Sequence, residues 1–411
     1  MAPTISASPK FFRRVFKAFH YRDFRLMFIG ACVSSIGTWM QILAQAWLVL
    51  EITKSPFYLG LDAFLSGIPV FLLSIIGGVV ADRVERRRVL LFSQYVQMTS
   101  AAILTVLLFF HAVRIWHILC LSFISGTAQS FGGPAYSALI PTLVKKEDMP
   151  NAIALNSIQF NLARIIGPAI GGLVFDRMGA KWCFGLNALS FLAPVISLTI
   201  LTTRYLPEKT KESVWSSMKQ GFRFIRHQGA IEALILLAFL MTALGFPMMT
   251  FLPWFAKTVF SGGPWTYSLF LCSSGIGAVV GSLGVAWLGN AEHKGRILLA
   301  SLVWLGAGIA IFALSKSVAL SCAVLFLTGI GMMAVFTNVN SLVQLITPNE
   351  MRGRVMSIYN SAFRGGMPMG NLLTGWFVPM FTAPVVLAVN GLLLVILALY
   401  FLLVQRKVAT L

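Results

Sequence analysis

Long apolar runs alternate with short polar segments along the whole chain. Twelve runs are long enough to cross a bilayer, which takes about 20 apolar residues: 24–50, 57–81, 89–110, 115–140, 151–176, 182–203, 230–256, 266–289, 296–315, 318–343, 354–380 and 383–405. The fourth and tenth, rich in Gly, Ser and Thr, carry the weakest signal. The longest interruption, Arg204 to Gly229, falls between the sixth and seventh runs. Within it Trp215, Met218, Phe222 and Ile225 recur at helical spacing, so part of it reads as an amphipathic helix on the membrane surface. The pattern divides the chain into an N-terminal segment (1–23), six spans (24–203), a linker (204–229), six more spans (230–405) and a short tail (406–411).

Composition narrows this to an all-α integral membrane protein. Of 411 residues, 57% are hydrophobic and 11% charged, whereas soluble domains are about one quarter charged. The net charge of +19 suits loops held at an anionic leaflet, and no basic, aromatic-interleaved face calls for a nucleic acid. Twenty-four Lys and Arg fall in the N-terminal segment, the linker, the tail and the alternate loops on their side, and six fall in the loops between. That bias places both termini in the cytoplasm of a multi-pass plasma (inner) membrane protein. Lys10, Arg13, Arg14, Lys17, Arg22 and Arg25 with Phe11, Phe12, Phe16 and Phe19 suggest an amphipathic surface helix before the first span, and no signal peptide. The five cysteines lie singly inside apolar runs and read as packing residues.

The two halves are related. Arg88-Val89-Leu90-Leu91 follows the second span, and Arg296-Ile297-Leu298-Leu299 follows the eighth. Ser157, Asn161, Arg164 and Pro168 in span five correspond to Ser357, Ser361, Arg364 and Pro368 in span eleven, each set on one helix face. Parallel six-span repeats of this kind recur in transporters. Between spans two and three, Gly78-Val79-Val80-Ala81-Asp82-Arg83-Val84-Glu85-Arg86-Arg87 packs a carboxylate and arginines into a tight turn. This turn resembles the loop 2–3 signature of the major facilitator superfamily, with Glu85 where Gly is usual. Gly167-Pro168-Ala169-Ile170-Gly171-Gly172 resembles the core of that superfamily's antiporter motif, without its upstream glycines. Ser34 to Met40, Thr53 to Pro56 and Gly126 to Pro141 are similar to the branch holding macrolide efflux proteins and the enterobactin exporter. The resemblance implies twelve transmembrane helices in two pseudo-symmetric six-helix bundles, a cavity lined by spans one, four, seven and ten, and rocker-switch alternating access. It also implies a conformational switch at Gly78, Asp82, Arg83, Arg86 and Arg87, with Asp82 against the start of span eleven when the outer side is open. A carboxylate there would meet the positive end of a helix, with Arg86 at i+4 holding it.

Ionisable groups inside spans are functional candidates, because a charge in hydrocarbon costs at least about 2.5 kcal/mol. Arg164 and Arg364 lie past the midplane. Each offers a planar fork to a carboxylate or phosphate, or else satisfies backbone carbonyls freed near Pro168 and Pro368. Asp62 is the one acid well inside a span. It is the candidate proton carrier, or a structural partner of Arg364 when the outer side closes. Polar stripes mark span one (Ser34, Thr38, Gln41, Gln45, with Trp39 beside them), span ten (Thr337, Asn340, Ser341, Gln344) and span four (Gln129, Tyr136). Such stripes must face protein or water. They are read as cavity lining, since the resemblance makes these the lining helices, with interhelical hydrogen bonding as the alternative. Gly167, Pro168, Gly171 and Gly172 are read as a helix-packing motif.

The expected function is a secondary active transporter exporting amphipathic or anionic small organic molecules, drug- or siderophore-like, and proton-coupled through Asp62. The alternative is a lipid-handling facilitator for lysophospholipid-like substrates. No cluster of His, Asp or Cys at one depth suggests an enzyme, a metal site or a cofactor, and no phosphate loop suggests a primary pump. A monomer is expected.

Overall fold

The computed structural model describes residues 16–202, 214–288 and 293–411. It is helical, and ten of its helices are long and apolar enough to cross a membrane. In chain order the helices are α1 (Arg22–Thr53), α2 (Pro56–Arg83), α3 (Arg86–Phe109), α4 (Ile115–Leu139), α5 (Met149–Met178), α6 (Ala180–Ser190), α7 (Leu192–Ile200), α8 (Val214–His227), α9 (Gly229–Gly245), α10 (Pro247–Trp254), α11 (Pro264–Leu288), α12 (Lys294–Leu314), α13 (Val318–Ile346), α14 (Asn349–Phe381) and α15 (Ala383–Leu403). Helices α4 and α14 are not among the ten, in which α6 with α7 (Ala180–Ile200) and α9 with α10 and the turn after it (Gly229–Val259) each count once. Span four is diluted by Ser, Gly, Thr and Gln, and span eleven by the polar and basic residues of its first turns and by Arg364. The tenth run, one of the two weakest by sequence, does qualify.

Prolines explain where a span is broken. Pro194 removes the N–H that would bond Ser190, and the sixth span parts into α6 and α7 at Phe191. Pro247 likewise leaves the Ala243 carbonyl free and separates α9 from α10. That carbonyl lies against Gly370, where a side chain would collide with it. Beyond α10 the chain closes in a π-helical turn, Phe255–Val259.

Corresponding helices of the two halves pack alike. Helix α1 packs on α5 and α9 on α14; α2 packs on α4 and α11 on α13; α3 packs on α6 and α12 on α15. Small residues let these helices approach. Gly167 and Gly171 lie against Ile36, Trp39 and Met40 of α1, Gly366 against Phe239 and Thr242, and Gly277 and Gly281 against Phe326 and Ile330.

The halves meet through α2 on α14 and α5 on α11. Among the described residues, every hydrogen bond and ring contact between them lies toward one end. Phe57 meets Trp376 edge-on at 5.9 Å, the Phe71 ring covers Gly365 and Pro368 covers Gly67. The Ser268 hydroxyl donates to the Pro168 carbonyl at 2.7 Å, and Cys272 Sγ to the Ile165 carbonyl at 3.3 Å. At the other end Gly78, Gly284 and Gly353 have nothing within 4 Å of an added methyl. That open end carries both chain ends. Lys17 pairs with Asp148 at 3.6 Å before α5, and the C-terminal segment passes Gly229 and Gly295. The structure is therefore sealed away from the termini and open toward them.

Two expected surface helices fall partly outside the described residues. Residues 1–15 do so, and the part that follows, Lys17–His20, is a single 3-10 turn rather than an amphipathic helix. It is held by Phe19 against Phe24 and Phe28, at 5.8 and 4.8 Å. The linker helix is present as α8, with 203–213 outside the description.

Candidate functional site

Arg164 and Arg364 lie beside the seal. The Arg164 backbone and Ile165 lie against Gly275 and Cys272 of α11, and Gly365, next to Arg364, lies against Phe71 of α2. Below them, toward the open end, Ser157 and Asn161 on α5 and Ser357 and Ser361 on α14 bond only to carbonyls of their own helices. Their faces remain exposed or half-buried. Polar stripes at membrane depth face protein or water, so these faces border the gap between the halves. Arg164 lies over the Trp39 ring at 5.8 Å, and Trp39 meets Phe160 edge-on at 6.1 Å. Neither arginine has an ion pair or hydrogen bond among the described residues. Each half thus carries one such arginine, Arg164 on α5 and Arg364 on α14, next to residues that touch the other half.

The polar stripe of span one makes interhelical hydrogen bonds while Gln41 and Gln45 stay half-buried. Asn187 of α6 donates to Gln41 Oε1 at 2.5 Å, and Gln41 Nε2 reaches Gln45 Oε1 at 3.5 Å. Gln45 Nε2 donates to Asp62 Oδ2 at 2.8 Å and to Ser122 Oγ at 2.9 Å. Ser122 in turn donates to Asp62 Oδ1 at 2.5 Å. Gln41 and Gln45 are therefore joined into an interhelical chain that ends on a buried carboxylate. The reason is the carboxylate itself, because a buried charge needs donors on both oxygens. Thr38 bonds back to the Ser34 carbonyl at 2.9 Å. Asp62 does not pair with Arg364 in this structure, where the side away from the termini is closed. Nothing in the sequence marks Ser122 and Asn187 as partners of this chain. A lone acid in a span is the signal that donors must lie near it, but their positions follow from helix packing.

The other polar candidates are scattered. Gln129 accepts from Gln97 of α3 at 3.4 Å, and Tyr136 donates to Asn156 of α5 at 2.6 Å. Gln344 donates to Asn340 one turn back at 2.5 Å, on an exposed face of α13.

The α2–α3 turn is anchored within its own half. Arg86 donates to the Ala138 carbonyl at 2.8 Å and lies 3.8 Å from Asp82. Arg87 caps the end of α7 through the Thr199 and Leu201 carbonyls, at 2.5 and 3.3 Å, where the helix dipole favours a cation. Arg88 pairs with Glu85 at 2.8 Å. Asp82 is 58% exposed and Arg83 is exposed, so this end of α2 stands away from α14. The residue that packs is Gly77, against the Ser130 carbonyl and Phe131, whereas Gly78 faces open space. Gly167 and Gly171 pack on α1, while Gly172 meets Ser268 across the halves and Pro168 supplies the carbonyl that Ser268 binds.

This geometry can be set beside known proteins. Residues 15–410 match the family model described as Transmembrane secretion effector, MFS_3. The enterobactin exporter EntS of Salmonella choleraesuis (strain SC-B67) is 27% identical, over 93% of this chain and 92% of the relative. The multidrug efflux pump Tap of Mycolicibacterium fortuitum is 24% identical, over 85% and 88%. Macrolide efflux protein A of Streptococcus pyogenes is 22% identical, over 87% and 90%. In fold the chain is similar to the peptide transporter POT in complex with sulfate, with a TM-score of 0.72 at 15% identity, covering 94% of this chain and 95% of that one. A mutant of the nucleoside transporter NupG gives a TM-score of 0.74 at 14% identity, covering 92% and 98%. A helical membrane architecture and a family match across nearly the whole chain identify this multi-pass membrane protein as a member of the transmembrane secretion effector family of major facilitator transporters.

Proposed function

We propose that the protein is a secondary active exporter of amphipathic or anionic small organic molecules. Two six-helix bundles of twelve spans rock about the α2–α14 and α5–α11 contacts, alternately opening a central space to each side. With both termini in the cytoplasm, this structure is the inward-open, loading state. The observation that carries the reading is that Arg164 and Arg364 come from opposite halves, beside the residues that join them, and neither spends its charge on a protein acid among the described residues. A guanidinium in a water-filled membrane gap binds carboxylate or phosphate with two parallel hydrogen bonds, and Trp39 and Phe160 beside Arg164 offer an apolar or aromatic body its contact. The relatives named for enterobactin, macrolide and multidrug export agree with such a cargo.

Proton coupling is assigned to Asp62, whose two oxygens are held by α1 and α4. Loss or gain of its proton changes which donors it binds and so the packing of α2, the helix that seals against α14. The test is uptake of an anionic fluorescent dye into inverted vesicles. Uptake driven by a proton gradient, lost with an uncoupler and in Asp62→Asn, is expected. Arg164→Gln and Arg364→Gln should weaken uptake of the anionic dye more than that of a neutral analogue. Uptake that survives the uncoupler would overturn the coupling and favour a facilitator for lysophospholipid-like molecules. Equal loss for both dyes in the arginine variants would overturn the anion site.

A further inference from the structure

We infer that α8 is a binding surface for anionic phospholipid headgroups at the open end of the protein. The helix has two distinct faces. Gly221 and Ile225 are buried and Met218 is half-buried, one turn apart. The opposite stripe holds Lys219, Phe222, Arg223 and Arg226, at i, i+3, i+4 and i+7, and all four are exposed. No acid occurs in the helix. Among the described residues, none of the three cations on the stripe has a carboxylate partner. Exposed Lys407 adds charge at its far end, its Nζ reaching Gly229 just after α8.

Phe222 distinguishes a lipid surface from water as the occupant. It is 51% exposed in the middle of the cationic stripe. A large ring flanked by lysine and arginine suits the boundary of headgroups and acyl chains, with the ring inserted and the cations on phosphates. The buried stripe shows what such a contact would hold. Gly221 lies flat on α14, where an added methyl would come within 2.9 Å of Ile358 and 3.3 Å of Arg354. The same α14 carries Gly365 and Pro368, the residues that seal against α2. Headgroups bound to α8 therefore grip the helix whose far half forms the seal.

The inference does not depend on what is transported, so it can fail while the export reading stands. The test uses the full-length protein, purified from mixed phosphatidylcholine and phosphatidylglycerol, with the retained lipids counted by mass spectrometry of the intact complex. Each basic residue at an anionic surface contributes about fivefold in binding, about 1 kcal/mol. The triple variant Lys219→Gln, Arg223→Gln, Arg226→Gln should therefore lose about a hundredfold in preference for phosphatidylglycerol. The double variant Lys145→Gln, Lys146→Gln removes exposed charge from another loop and should keep the preference. No preference in the parent protein, a preference that survives the triple variant, or equal loss in the double variant would overturn the inference.

Discussion

The hydrogen bond from Ser268 to Pro168 joins the two halves at the sealed end, and under the proposed alternating access it belongs only to the state closed there. Ser268 is 1% exposed, and its hydroxyl reaches the carbonyl at 2.7 Å. Its partner is available because Pro168 and its neighbours bring α5 close, with Gly172 leaving room for the Ser268 side chain. Replacing Ser268 with Ala deletes the donor without adding volume. A neutral hydrogen bond is worth about 0.5–1.5 kcal/mol net, and here that worth is lost from one conformation and not from the other. The equilibrium should therefore move about two- to tenfold toward the state open away from the termini. Gly172→Ala should push the same way and further, since its methyl would lie within 2.8 Å of Ser268 Oγ and overpacking costs about 1–3 kcal/mol. The assay is the labelling rate of Ser157→Cys, on the face bordering the gap, by a membrane-impermeant maleimide, with exposed Cys120 replaced by Ser. Slower labelling from the terminal side is expected in Ser268→Ala, and slower still in Gly172→Ala. Unchanged labelling in both, at unchanged melting temperature, would refute the assignment of this contact to one state.

Other residues give separate tests. Gln45→Leu and Ser122→Ala each remove a donor to Asp62 and should cost about 1.5–3 kcal/mol of stability in denaturant titrations in mixed micelles. In the Asp62→Leu background the same changes should cost at least 1 kcal/mol less by that rough scale, and additive losses would count against the network. Gly77→Ala should lower the melting temperature through collision with the Ser130 carbonyl, while Gly78→Ala leaves it unchanged; equal effects would contradict the packing described. Arg87→Gln loses two charge-assisted bonds to the end of α7 and should destabilise by about 1.5–3 kcal/mol, whereas Arg83→Gln should be silent in the same melting experiment.

The hydrophobic pattern alone determined the helical membrane class, because lipid demands uninterrupted apolar runs and leaves that demand visible in one dimension. It also marked the linker, the repeat between halves and the two arginines, since an ionisable residue stands out against an apolar background. The breaks in spans six and seven fall at Pro194 and Pro247, but Pro69, Pro134, Pro168, Pro368 and Pro379 lie inside unbroken helices, so tertiary structure chose between them. Which polar side chain meets which partner was decided by tertiary structure. Gln41 and Gln45 form a helical stripe that cavity lining and interhelical bonding would produce equally well. Only the approach of α2, α4 and α6 to α1 brings Asp62, Ser122 and Asn187 within bonding distance of these half-buried glutamines. Gly77 and Gly78 are indistinguishable by type, and the rotation of α2 against α4 alone makes the first the packed one. The end at which the structure is open is likewise absent from the sequence. Under the proposed alternating access the same chain seals at either end in turn, and the fold displays one of those two contacts.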